Sequence, residues 1–395
     1  MNVLKILNRQ DELFNTAISK NKDLLVDLIS GSSILVVGGA GSIGKSVCLE
    51  LIKYAPKLLH IVDISENNLV ELVRLIRSSD IKLNIEFDTF AIDINSRAFD
   101  FLTQKYVYQY ILNLSALKHV RSEKDPFTLL RLIEVNIFNS IKLARLSSNL
   151  NCHKYFAVST DKAANPVNLM GASKRIMEKF LVRESNDTSI SLARFANVAF
   201  SDGSLLYGFQ QRIIHKQPLA APKELKRFFI THEESGRLCV LSAFLGNNLE
   251  IFFPNNTDEM KLVDFEGIAT RFLESYGYEP FYCSSEEQAK TIMTECLKNK
   301  KWPIYIFNSD TTGEKPFEEF YTVTENKRLG ILDDIGIINL EPQFDSDALE
   351  RFEKDFIMIS SEIKLWRKEN IVELFRTILP ELNHEEKNKF LNGVM

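Results

Sequence analysis

From Ser33 onward, short β-branched runs alternate with amphipathic stretches, and that alternation constrains the fold more than any other feature of the chain. The runs are Ser33–Gly39, Leu58–Ile64, Phe87–Ile94, Tyr110–Ser115, Lys154–Thr160 and Ser189–Val198, with helical stretches opening near Ser42 and Glu66. Strands alternating with helices predict βαβ units and an α/β fold, a doubly wound parallel sheet covered on both faces. At roughly 150 residues per core-forming unit, the 395 residues suit two or three such units.

The spacing of Leu13, Ala17, Leu24, Leu25 and Leu28 predicts a helical arm over residues 1–30, ended by Gly31. Residues 31–200 then carry the doubly wound sheet. Beyond it, Pro218, Pro222 and Pro254 interrupt the rhythm. A smaller α/β unit is expected over 201–330, with some segments free to return to the first sheet. Over 331–395, Leu349, Phe352, Phe356, Ile359, Ile363 and Trp366 predict one amphipathic helix from about Asp345 to Phe375, followed by a shorter one from Glu385 to Leu391. This helical extension can pack on the body or on a second copy.

Composition removes several classes of function. Lysine and arginine number 48 against 53 acidic residues, a net charge of −5, without the basic excess that grips a phosphate backbone. Five widely spaced cysteines form neither a disulfide framework nor a paired metal motif. No metal is therefore assigned. No signal-like segment or long apolar run occurs, so a soluble, cytoplasmic protein with no membrane or nucleic-acid partner is expected.

Directly after the first run come Gly38, Gly39, Ala40, Gly41, Ser42, Ile43 and Gly44, opening a helix. Glycines at this spacing let the backbone turn tightly and approach a pyrophosphate, while the helix N-terminus offers unpaired N–H groups. Such a turn marks a Rossmann-like dinucleotide site, although a purely structural turn has the same glycines. Asp63 follows Gly44 at about the spacing of a carboxylate that binds the adenosine ribose, which favours NAD over NADP. Asp93 and Ile94 stand where an adenine edge would be read. Each alone is also an ordinary loop acid and a core aliphatic.

The most specific segment is Tyr155-Phe-Ala-Val-Ser-Thr-Asp-Lys-Ala-Ala-Asn-Pro-Val-Asn-Leu-Met-Gly-Ala-Ser-Lys174. It sets Thr160, Asp161 and Lys162 at the carboxyl end of a strand, where ligands bind in open α/β sheets. Met170 and Lys174, four apart on the next helix, can face the same crevice.

With Ser115–Val120, Asn136, Arg194–Val198, Arg227–Thr231 and Gly313–Glu319, this segment resembles the extended short-chain dehydrogenase/reductases, and within them the UDP-N-acetylglucosamine 4,6-dehydratase family of polysaccharide biosynthesis. The chain looks like a short member without the membrane-spanning N-terminal region of longer relatives. What the resemblance implies is a tightly bound, recycled NAD that takes a hydride from C4 and returns it to C6 while water leaves across C5 and C6. It makes Asp161 the acid at C6 and Lys162 the base at C5. Asp161 must then be protonated and Lys162 neutral. Burial favours both forms, and their mutual ion pairing opposes both.

Met170 departs from the tyrosine found in most short-chain dehydrogenases. The C4 hydroxyl proton then needs another acceptor, such as Thr160 or a water, and the resemblance implies retention at C5. It also gives Lys174 the nicotinamide ribose and adds Ser115 and Ala116 to the cofactor side. Lys118 and His119 are expected beside the sugar, Asn197, Arg227 and Lys261 at the diphosphate, and Glu318 and Glu319 at the nucleoside ribose. A solvated lysine at 174, a structural His119 and a solvated face for the two glutamates are the plainer alternatives. The expected partner is a UDP-sugar, and a homo-oligomer is expected. A 4-epimerase of the same fold and a non-catalytic NAD-binding sensor or scaffold are the rival functions.

Overall fold

A computed structural model describes residues 1–79, 85–255, 260–308, 315 and 317–384. Its centre is six parallel strands, β1 (Ser33–Val37), β2 (Leu58–Asp63), β3 (Glu86–Ala91), β4 (Tyr110–Asn113), β5 (Lys154–Thr160) and β6 (Ile190–Phe195), one for each apolar run. They lie in the order 3-2-1-4-5-6 and continue into Glu250–Pro254, parallel to β6. Two antiparallel strands, Ile335–Asn339 and Asn326–Leu332, complete the sheet. The order reverses between β1 and β4, so a crevice opens at the carboxyl ends of those strands.

Burial explains why these runs become strands. β4 and β6 are buried at every residue, as strands covered on both faces must be. The edge strand β3 instead alternates, with Glu86 and Asp88 exposed. In chain order, the helices through residue 184 are α1 (Val3–Ile6), α2 (Asn15–Lys20), α3 (Lys22–Ile29), α4 (Ser42–Ile52), α5 (Glu66–Arg77), α6 (Arg97–Lys105), α7 (Pro126–Ile133), α8 (Asn139–Asn149) and α9 (Leu169–Glu184). Side-chain oxygens start several of them: Ser65 accepts from Asn68 N and Asn168 from Gly171 N. Among the described residues, no helix is long and apolar enough to cross a membrane.

The N-terminal arm is three short helices rather than one. Phe14, at φ 68°, turns the chain so that Leu13 and Phe14 enter the main core. Leu13 N donates to Glu234, which is also ion-paired with Arg9. At the other end, the single helix expected from Asp345 to Phe375 is two, Ser346–Ser361 and Lys368–Ile378. The break lets the second fold back on the first, with Trp366 buried and its indole N–H donating to the Pro126 carbonyl at the start of α7. The shorter helix expected from Glu385 to Leu391 lies outside the described residues.

A second parallel sheet, Glu279–Cys283, Lys301–Asn308 and Leu219–Lys223, has its own core around Phe209, Phe272 and Trp302. The span 201–330 is not one continuous unit, because Glu250–Pro254 and Asn326–Leu332 belong to the main sheet.

Arg194 on β6, fully buried, donates to Glu178 on α9 and to Glu325, with distances of 2.7–2.9 Å. Arg175 donates to the same two carboxylates and Ser159 to Glu178. Burial alone would raise the Glu325 pKa, but Arg194 and Arg175 hold it down to about 2. Lowered in the fold, it contributes stability above about pH 4.5 that is lost as pH falls towards 2. Glu325→Ala leaves buried arginine charge uncompensated and should destabilise by about 3–5 kcal/mol in urea unfolding near neutral pH.

Candidate active site

The glycine turn packs closely against the strand ends. Gly38 has φ +75°, and a Cβ there would lie 2.5 Å from Ser115 N. At Gly44 a Cβ would fall 2.3 Å from the Gly38 carbonyl oxygen, so only glycine lets the first turn of α4 close onto the strand end. Gly41 caps that helix through its extended backbone. Asp63 reaches the same turn, its Oδ2 accepting from Ala40 N at 3.1 Å and its Oδ1 from Ser65 N at 2.9 Å.

A cavity of about 230 Å³ lies over this turn, lined among others by Gly38, Gly41, Asp63, Asp93, Ile94, Ser115 and Ala116. Ser115 is fixed by Asn113, whose Oδ1 accepts from its hydroxyl at 2.6 Å. Arg131 and Asn139 also line this cavity and escaped the sequence reading. The one cation in the apolar stretch Leu129–Ile133 was the available signal for Arg131, whose guanidinium donates to Asp93 at 3.3 Å.

A second cavity, of about 300 Å³, continues from Gly41–Gly44 to the end of β5. Lys118, His119, Thr160, Asp161, Lys162, Met170, Lys174 and Asn197 line it, so residues far apart in sequence meet on one space. Asn197 belongs to the short strand Asn197–Val198, paired with Phe229–Ile230. His119 packs against Gly203, where a Cβ would come within 2.7 Å of its ring, and burial holds its pKa below the ordinary value. Asn136, in a π-helical turn over Glu134–Phe138, accepts from Leu117 N and donates to Leu117 O and Ser173 Oγ, each at 3.0 Å.

Asp161 Oδ1 is the hub. It accepts from Thr160 Oγ1 at 2.8 Å, from the Lys162 backbone N at 2.9 Å and from Lys162 Nζ at 3.0 Å. Glu318, expected at the nucleoside ribose or on a solvated face, is buried with a carboxylate oxygen 3.9 Å from Lys162 Nζ. Burial works to lower the Lys162 pKa, but Asp161 and Glu318 outweigh it and hold the amine above its ordinary value. Pairing thus wins over burial, the balance that sequence left open. Burial also raises the Glu318 carboxyl, against the pull of Lys162.

Lys174 is buried rather than solvated. Its Nζ donates to Val158 O at 3.1 Å, and burial brings its pKa down to about 8. Met170 is buried beside it, its backbone N held by Glu123 at 2.9 Å. Arg227, also buried, sits in the two-residue strand Lys226–Arg227, and its charge is felt by Lys162 and Glu318. Lys261 and Glu319 are exposed and line neither cavity; Glu319 accepts from Asn165.

The fold is an α/β fold of the short-chain dehydrogenase/reductase type. The chain belongs to the polysaccharide biosynthesis protein family, whose model matches residues 34–338. An uncharacterized membrane protein of Methanocaldococcus jannaschii is 31% identical over 63% of this chain and 74% of its own length. Capsular polysaccharide biosynthesis protein CapD of Staphylococcus aureus is 29% identical over 67% of this chain but only 44% of its own length. The match spans nearly all (99%) of an inverting UDP-N-acetylglucosamine 4,6-dehydratase of Campylobacter jejuni, at 24% identity and 91% of this chain. A UDP-glucose 4-epimerase of Rickettsia rickettsii is 26% identical over 65% of this chain and 79% of its own. Among solved structures, Pen from Bacillus thuringiensis has TM-score 0.64 at 21% identity, covering 80% of this chain and 90% of its own. DesIV, a dTDP-glucose 4,6-dehydratase from Streptomyces venezuelae with NAD bound, has TM-score 0.55 at 15% identity, covering 72% and 87%.

Gly44→Ala places a methyl group against the Gly38 carbonyl and should weaken binding of a pyrophosphate-bearing nucleotide at least about tenfold in a fluorescence titration.

Proposed function

We propose that this chain is a nucleotide-sugar 4,6-dehydratase that converts UDP-N-acetylglucosamine to its 4-keto-6-deoxy product, retaining configuration at C5. The observation that carries the reading is that one cavity is lined both by the helix N-terminus of the glycine turn and by the Asp161–Lys162 pair. NAD, named in the DesIV structure and suited to a turn where Gly38 and Gly44 leave no room for a Cβ, would accept the C4 hydride and return it to C6. Gly38, Gly41, Ser42, Ile43 and Gly44 would hold its pyrophosphate, Asp63 its adenosine ribose and Lys174 its nicotinamide ribose. Asp93, Ile94, Ser115 and Ala116 would flank its adenosine half. Lys118, His119, Asn197 and Arg227 would face the UDP-sugar.

The two protonation states that elimination requires are one tautomer of the observed pair. Transfer of a single proton along the 3.0 Å contact turns the ion pair into a carboxylic acid and a neutral amine. A bound sugar that draws the Lys162 ammonium away from Glu318, now 3.9 Å off, would favour that tautomer. Lys162 then takes the C5 proton while Asp161 protonates the departing C6 hydroxyl. The thioether of Met170 holds no proton and Asp161 is already protonated in that tautomer, so the C4 hydroxyl proton would pass by way of Thr160 to water. After elimination the pair would regain from water the proton spent at C6, and it ends the cycle as it began. One amine that removes and returns the C5 proton from one face gives retention, and Met170 offers no second donor. The Campylobacter relative carries the opposite outcome in its name.

Epimerisation is the second reading, favoured by the epimerase among the relatives. It has no use for an acid at C6, which is the role the buried Asp161 is suited to. Asp161→Asn should lower dehydration by about 100- to 10,000-fold and spare NAD binding; wild-type turnover in this variant would exclude it as the acid. Lys162→Met should stop solvent deuterium entering C5, and undiminished exchange would remove it as the base.

A further inference from the structure

Away from both cavities, a buried imidazole faces two exposed carboxylates across the outer edge of the main sheet. β2 and β3 pair in parallel with His60 opposite Asp88, and Glu86, two residues earlier on β3, projects from the same face. One ligand atom from each residue lies within 4.8 Å of the other two. We propose that His60, Glu86 and Asp88 bind one divalent transition-metal ion of the zinc type.

The independent support is the state of the imidazole. His60 is fully buried, and its Nδ1 lies 2.8 Å from the Tyr108 hydroxyl. Its Nε2 has no hydrogen-bond partner, the nearest acid oxygen being Asp88 Oδ2 at 4.0 Å. Edge-on contacts with Phe90, Tyr106 and Tyr108 fix the ring plane. An Nδ1–H donated to Tyr108 leaves the Nε2 lone pair turned towards the carboxylates, the arrangement in which a second hydrogen bond orients a ligating histidine. Four ångströms is too long for a hydrogen bond. An ion with ligand distances of about 2.0–2.2 Å fits between the groups once the exposed carboxylates rotate inward.

One imidazole and two carboxylates suit zinc, cobalt, nickel or manganese better than calcium or magnesium. Asp88 and Glu86 present two negative charges to the ring. Lys105, the cation that opposes them, stacks on Tyr106. Two carboxylates outweigh that one charge. A bound ion would clamp the edge strand to β2, whose last residue, Asp63, holds the glycine turn.

The test uses the full chain, stripped with a chelator and titrated with zinc chloride by calorimetry and thermal melting. Wild type should bind one equivalent at micromolar concentration and melt at a higher temperature, with no comparable shift from magnesium. Glu86→Gln and Asp88→Asn alter exposed side chains and leave the core intact. Each should weaken zinc at least about tenfold, and together they should abolish the shift. Absence of binding by wild type would overturn the site. So would unchanged affinity in the double variant, which would assign the zinc to other groups such as the five free cysteines.

Discussion

The buried guanidinium of Arg194 is the constraint on which the rest of the site depends. Two carboxylates close around it, Glu178 from α9 and Glu325 from the approach to the last strands. Ser159, the residue before Thr160, donates to the same Glu178 at 2.6 Å. One ion cluster therefore fixes the end of β5, the helix bearing Met170 and Lys174, and the strand leading to Asn197. Removing a partner from such a cluster is costly because the remaining charge stays buried. That cost keeps the Thr160–Lys174 segment in one geometry.

The second constraint is electrostatic. Asp161 and Lys162 adjoin in sequence and touch through their side chains, so they hold one exchangeable proton between them. Glu318 adds a carboxylate that strengthens the amine's hold on that proton. In this arrangement Lys162 is a poor base. Under the proposed function, a bound sugar that draws the amine away from Glu318 would make it a better one. Glu318 thus lies beside Lys162, with a carboxylate oxygen 3.9 Å from its amine.

Much of this was legible in the sequence because its signals are local. Each of the six strands is a β-branched run, and the glycine turn, Asp63 and the Thr160–Lys174 segment announce themselves by spacing. What escaped depends on distant contacts. Nothing near Asp345–Phe375 says that Trp366 will break the helix to reach Pro126, and nothing near Phe14 says that it will enter the main core. Arg131 reads as a helix-surface cation until the fold brings it to Asp93. Glu318 reads as half of an acidic pair until the chain returns it to Lys162, about two fifths of the sequence away. His60 sits inside an apolar strand, and only the register with β3 sets it against Asp88 and Glu86.

The central test is whether the purified chain removes water from UDP-N-acetylglucosamine without added cofactor. The direct measurement is proton NMR of UDP-N-acetylglucosamine incubated with the enzyme in D2O. The predicted result is a new C6 methyl signal, loss of the C4 proton, deuterium at C5 and a C5 coupling pattern of retained configuration. A product that keeps its C6 hydroxymethyl group and differs only at C4 would contradict the account and make the chain an epimerase. An unchanged spectrum with this and other UDP- and GDP-linked sugars, while NAD still binds, would make it a binding protein.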